Sequence, residues 1–437
     1  MMVLARETRR GLAWFLAAAA VVTVVIAFQQ QHRAAVELAD PGGTHINDFD
    51  RWMLMTPRFL RDRVDYVNDE MPTSPISLIV FAPFTALSRP DAQFAWVLVK
   101  LPLASLVFFL AAAMVARAGV RLTPVALGLM IAGWWLAVII DMQQGQTNFL
   151  ALAPLMGGLY LAQRERQWSD GVAGALVALG VAMKVTPVIF VAYFLWKRRW
   201  LVAGAAVVGL AAWLLFVPAL AFGWQQNLRW VEQWTGIMIV PYVAHAKVVY
   251  STSQSLPSFA LRLLTMTPAF DSHHGGITES HYMNVLALSG DTARQLVRVL
   301  MIAVGAAGLW WMRAPLRTFG SPRYICEIGA VAAFMLWFSE RTWVPHYVSF
   351  VLMLSAAGMV LSDPTESEAG RRWVRVALIA FGVTTVFASE AGKMFGRDGI
   401  DWAKAVGVYL WPSVLVTATV LRVATLRSAE REIGACT

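Results

Sequence analysis

Apolar residues in this chain come in long unbroken runs, not in the two-residue alternation of a strand or the single stripe of a surface helix. Runs near 11–28, 92–116, 123–140, 148–163, 201–222, 296–312, 324–339, 347–361, 374–389 and 405–421 approach the roughly twenty residues a helix needs to cross a bilayer. The stretch 171–196 is too long for one comfortable span, and "KVTP" at 184–187 interrupts it. Both of its ends are basic, at Arg164 and Arg166 and at Lys197, Arg198 and Arg199. Basic short loops face the cytoplasm, so both ends belong inside, and only a hairpin broken at Pro187 satisfies that. Twelve segments follow, with both termini cytoplasmic and two large outer loops, 29–91 and 223–295. Within the first loop, "SPISLIVFAPFTAL" at 74–87 is too short to span and reads as a helix lying in the interface or packed over the bundle.

Composition strengthens this picture. Of 437 residues, 58% are hydrophobic and only 14% charged, and mean hydropathy is +0.57. Soluble domains carry about 25% charge, so the expected class is an all-α integral membrane protein, a single multi-pass domain in the cell (inner) membrane. The net charge of +9 does not point to nucleic acid, because the basic residues punctuate the apolar runs instead of gathering in one patch. Tryptophans favour the membrane interface, and Trp134, Trp135, Trp310, Trp311, Trp402 and Trp411 lie near ends of runs. Arg6, Arg9 and Arg10 before 11–28 resemble a signal peptide, but the run is long and is expected to stay as the first span. Cys326 and Cys436 are not expected to pair, both falling near basic, cytoplasmic stretches.

Five polar groups sit oddly against this background. They are Asp48 and Asp50 in "HINDFDRWML", Asp141 with "QQGQTN", Lys184 with Thr186, "STSQSL" at 251–256, and "SERTWVPH" at 339–346. Under the topology above all five fall at outer helix ends or in outer loops, and ionisable groups at the membrane usually mark a site. Each also has a plain alternative: solvated carboxylates or helix caps for Asp48 and Asp50, a helix cap for "QGQTN", a snorkelling Lys184, an interfacial His346. His273, His274 and His281 with Asp271 and Glu279 have loose metal-like spacing, for which a solvated loop is the better reading.

The ordered set "DFDRW", "QGQTNFLAL" and "GVAMKVTPVIFVAYFLWKRRW" resembles glycosyltransferase family 87. These are polyprenyl-phosphate-sugar-dependent membrane transferases of the GT-C type, the phosphatidylinositol-mannoside mannosyltransferases among them. "SQSLPSF" at 253–259 and "SERTWVPHYV" at 339–348 resemble two further family segments, with Ser253 for an Asn, Glu340 and Thr342 for a Pro and a Ser, and one His in place of two. The resemblance implies transfer of a hexose, mannose in the best-known case, from a lipid phosphate to a lipid or glycan hydroxyl on the outer face, with inversion. It makes Asp48 the general base and Asp50 a second catalytic carboxylate, either a stand-in for the base or a group that orients Arg51 or an acceptor hydroxyl. His346, Lys184 and Arg341 would hold the donor phosphate. Gln144, Gln146 and Asn148 would donate from a helix start, and Gln254 and Ser255 would line the sugar or acceptor. No cofactor is called for, and a divalent metal is neither demanded nor ruled out. The rival readings are a transporter or flippase, which should show internal repeats, and a glycan ligase, which should carry an arginine-rich outer loop.

Overall fold

The computed structural model describes residues 6–39, 47–66, 71–241, 252–274, 277–396 and 398–434, the side chains of 6–18, 274 and 427–434 excepted. His45, Ile46, Ser251 and Cys436 lie outside the described residues. The protein is mostly helical. It forms two compact units: Met1–Leu110 with Val138–Val240, and Ala111–Ala137 with Pro241–Thr437.

The first unit opens with α1 (Arg6–Ala39), then α2 (Asp48–Pro57) and the short α3 (Ile76–Phe81). It takes in the start of α4 (Arg89–Arg117) and the end of α5 (Pro124–Gln143). There follow α6 (Asn148–Ala162), α7 (Gln167–Met183), α8 (Val188–Trp196), α9 (Trp200–Ala211), α10 (Val217–Phe222) and α11 (Trp224–Met238). Helices α6 and α9 both pack against α7. The α7–α9 contact is so close that a Cβ on Gly174 would meet the Val202 carbonyl oxygen at 2.3 Å. The expected break is present: α7 stops at Met183, Lys184 turns extended, and Pro187 precedes α8. The stretch 74–87 forms α3 and a following 3-10 turn, with Ile76, Ser77, Leu78 and Phe81 buried, so it packs on its unit.

An aromatic cluster joins α2, α3, α4 and α11. Phe49 stacks on Trp96 at 4.4 Å between centroids, Trp52 stacks on Phe81 at 5.1 Å, and Phe59 meets Trp230 edge-on. Such rings contribute large buried areas and set their own packing angles. That cluster is the floor on which the α2 carboxylates stand.

The second unit contains α12 (Leu256–Leu264), the antiparallel hairpin β1 (Phe270–His274) and β2 (Ile277–His281), and α13 (Gly290–Trp311). It closes with α14 (Pro322–Phe338), α15 (Val351–Ser362), α16 (Glu368–Thr385), α17 (Gly399–Ala405) and α18 (Leu410–Gly434). Helix α14 packs on α15 and α18. Its core is unusually dry, every residue from Tyr324 to Phe334 being buried. Among the described residues the hairpin is the one exception to the all-α expectation. Its alternating polar residues gave no apolar signal, yet Phe270 is buried against Trp402. Trp134 is buried, and its indole N–H donates to the Val348 carbonyl at 2.7 Å.

Among the described residues, five helices are long and apolar enough to cross a membrane, or six if the bent pair Gly399–Ala405 and Leu410–Leu426 counts as one span. The twelve-segment expectation is not reached by this measure, because several expected segments are short helices: α6 has 15 residues, α7 has 17 and α8 has 9. The protein is a multi-pass membrane protein.

Candidate active site

The first unit brings three of the five polar groups together. Helix α2 begins at Asp48, and its N-cap is Asn47, extended at φ −165°, whose side chain accepts from the Asp50 N–H at 3.0 Å. The capping role weighed for the aspartates therefore belongs to their neighbour. The Asn47 amide also reaches Gln30 on α1 and Gln93 on α4, each at 3.1 Å, and the Gln143 carbonyl at 3.3 Å. One half-buried asparagine thus fixes where α2 starts relative to three other helices.

The turn between α5 and α6 lies against that start. The Asp48 N–H donates to the Gln144 carbonyl at 3.2 Å, and the Trp96 indole donates to the Gly145 carbonyl at 3.1 Å. Gly145 has φ +65°, and a Cβ there would lie 2.7 Å from the Asn47 side-chain oxygen and from Phe49. Glycine is required both by its backbone and by the space. This close approach lets the Gln146 side-chain N–H donate to the Asp48 carboxylate. The Gln144 side chain, in contrast, is exposed.

The two carboxylates differ sharply. Asp50 has no exposed surface, and Arg89 at the head of α4 grips it through both Nε and Nη2. Arg89 is thus one observed partner of Asp50. Asp48 is half-buried and so can be approached. Burial pushes its carboxyl above the ordinary carboxylate range, against the lowering by the Gln146 hydrogen bond and by the charges of Arg51, Lys184 and Lys100.

Lys184 does not snorkel. It is half-buried at the α7–α8 break, and its ammonium donates to the Asn148 side-chain oxygen. The Asn148 amide N–H donates onward to Asp141 at 2.8 Å, and Asp141 is ion-paired with Lys100 at 3.0 Å. Gln146 and Asn148 are both buried, with 6% exposure each.

The remaining two groups meet in the second unit. The Gln254 N–H donates to the Thr342 carbonyl at 2.6 Å, the Thr342 N–H to Ser253 Oγ at 3.1 Å, and Ser258 Oγ to the Glu340 carbonyl at 3.1 Å. Gln254 and Ser255, expected to touch sugar or acceptor, are fully buried. The Gln254 amide donates to the Lys404 carbonyl and accepts from the Tyr409 N–H, while Ser255 caps α12. Buried amides with both ends bonded hold a loop in place; they offer no surface to a substrate in this structure. His346 is half-buried and stacked on Trp343, and its Nδ1 accepts from the Trp343 N–H at 3.1 Å, which leaves the ring proton on Nε2. Arg341 is half-buried. Burial pushes the Glu340 carboxyl up to about 7, opposed in part by Arg341 and Arg298. The hairpin histidines bond locally, His273 to Thr278 and His281 to Ser272, each at 2.9 Å. Among the described residues no group of three His, Cys, Asp or Glu side chains could hold a metal.

Arg89, Lys100 and Asn47 were missed as site residues from sequence. Asn47 alone had a local signal, an Asn directly before an acidic helix start.

A half-buried carboxylate, bonded amides, a buried Lys100 and a half-buried Lys184, set among membrane helices, define a polytopic membrane protein with a polar site in its first unit. The model of glycosyltransferase family 87 matches residues 74–339. The chain belongs to that family and is a glycosyltransferase. It is similar to the polyprenol-phosphate-mannose-dependent alpha-(1-2)-phosphatidylinositol mannoside mannosyltransferase of Mycobacterium tuberculosis, at 26% identity over 372 residues, covering 76% of this chain and 74% of the relative. The crystal structure of ArnT from Cupriavidus metallidurans bound to undecaprenyl phosphate aligns with 96% of this chain and 78% of its own, at 15% identity and a TM-score of 0.38.

Proposed function

We propose that the protein transfers a hexose, most simply mannose, from a polyprenyl-phosphate donor to a hydroxyl of a lipid or glycan acceptor at the outer membrane face, with inversion. The observation that carries this reading is Asp48: an approachable carboxylate held by Gln146 beside the Lys184 cation. The donor class is that named for the mycobacterial relative. In the proposed step the acceptor hydroxyl gives its proton to Asp48 as its oxygen bonds to the anomeric carbon. The bond from that carbon to the phosphate oxygen breaks, and the lipid phosphate leaves with the electron pair. Inversion follows from a single displacement.

The residues suit these tasks. Burial weakens the acidity of Asp48, and a base drawn nearer the working pH is a better proton acceptor. Gln146 fixes one carboxylate oxygen and leaves the other to the acceptor. Lys184 supplies positive charge against the phosphate that develops on the donor, and such contacts strengthen where water is scarce. Asp50 serves by holding α2 in place through Arg89.

Incubating the purified protein with a panel of polyprenyl-phosphate sugars and identifying the product lipid tests the proposal. Transfer from the mannosyl donor is expected; transfer only from a different sugar would correct the donor, and none at all would refute the reading.

A further inference from the structure

Lys100 lies inside the apolar stretch of α4, with only 2% exposure. A lysine there is costly unless fully engaged. Its ammonium donates to the Asp141 carbonyl at 2.7 Å and to the Asp141 carboxylate at 3.0 Å, and it lies 5.5 Å from the centre of the Trp96 ring. The other Asp141 oxygen accepts from the Asn148 amide at 2.8 Å, and the Asn148 oxygen accepts from Lys184. Each link has one possible direction. An ionised carboxylate only accepts, so the Asn148 NH2 must face Asp141 and its oxygen must face the lysine, which only donates.

We propose that Lys100 and Asp141 are positioning residues of the transferase: through Asn148 they hold the Lys184 ammonium in its place beside Asp48. The chain runs from a buried lysine in one helix, across the foot of α5 and the start of α6, to the α7–α8 break. Without the Asp141 carboxylate, the Asn148 amide loses the acceptor that holds its NH2 end turned away from Lys184. The charges facing Asp48 are Arg51 from its own helix, Lys184 from the break and Lys100 from α4, and all three lower its pKa. Asp50 is taken up by Arg89. Releasing Lys184 therefore makes Asp48 harder to ionise.

The proposal rests on Asp48 being the base, so its test uses a readout that does not need turnover. The rate of carbodiimide labelling of Asp48 in the full-length protein, followed by mass spectrometry against pH, gives the carboxyl's midpoint directly. Asn148→Ala, which removes no charge, should raise that midpoint by roughly 0.5 to 1 pH unit as the nearby cation is released. Asp141→Asn gives the sharper sign. Loss of a neighbouring negative charge alone would lower the midpoint, whereas release of Lys184 raises it, and a rise is expected. In a Lys184→Met background, Asn148→Ala should produce no further shift, the non-additivity expected of residues acting through one another. An unchanged or lowered midpoint in both single variants, or a full additional shift in the Lys184→Met background, would overturn the proposal. A protein that shows the shifts but transfers no sugar would refute the transferase reading and leave the network standing.

Discussion

Two aspartates separated by one phenylalanine have opposite fates. Asp48 is approachable and its acidity is weakened by burial; Asp50 is enclosed and gripped by Arg89. The difference has consequences for both rate and stability. A base must be ionised to accept a proton, so kcat/KM should fall as pH drops through the raised pKa of Asp48. The acid limb should lie above the ordinary carboxylate range, and a limb within that range would detach it from Asp48. The same shift has a stability consequence. A carboxyl whose folded pKa is raised favours folding below its unfolded pKa, and that contribution is lost as pH rises through the folded pKa. Above that pKa the charged carboxyl weighs against folding, so Asp48→Asn should melt no lower than the wild type there. Asp50→Asn should instead cost about 3 kcal/mol in unfolding experiments, as expected when one charge of a buried pair is removed. A stable but inactive Asp50→Asn protein would move the base to that residue. Of this contrast the sequence showed only the pair. Arg89 stood in an outer loop as one more basic residue before a proline, and nothing local announced its partner 39 residues away.

At the scale of elements, the turn between α5 and α6 decides where the site is built. Gly145 admits the Asn47 side chain and Phe49 to within 2.7 Å of where its Cβ would be. Gly145→Ala should therefore push the start of α2 away and destabilise by about 1–3 kcal/mol, the usual range for overpacking. Gln144→Ala, at the exposed neighbour, should stay within about 0.5 kcal/mol. Equal stability of the two variants would show that α2 is not seated on this turn. What sequence revealed about elements depended on how local their cause was. The break at 184–187 was legible because basic residues flank it and Pro187 ends a helix. The helix in 74–87 was legible from its apolar run. The hairpin at 270–281 was not, because its strands are polar and are held by a distant tryptophan. Lys100 gives no local sign of its role, since the carboxylate that explains it comes from another helix. Gln254 looked like a ligand for the converse reason: a polar motif in a loop does not reveal that the protein itself will consume its hydrogen bonds.

For the whole molecule, the claim is that a polytopic membrane protein performs sugar transfer with its first unit exposing Asp48 to the outside. Sidedness has its own check, in a background lacking Cys326 and Cys436. Cysteine at the exposed position 144 should react with an impermeant thiol reagent applied from outside, and cysteine at the exposed position 167 should not; the reverse pattern would invert the topology. The central claim is tested most directly by one comparison, turnover of a polyprenyl-phosphate mannose donor by the wild type and by Asp48→Asn, each corrected for folded protein and donor binding. Loss of a general base typically costs about a hundred- to ten-thousand-fold in rate. The account predicts a fall of that size with folding and donor binding retained; turnover by Asp48→Asn close to the wild-type rate would contradict it.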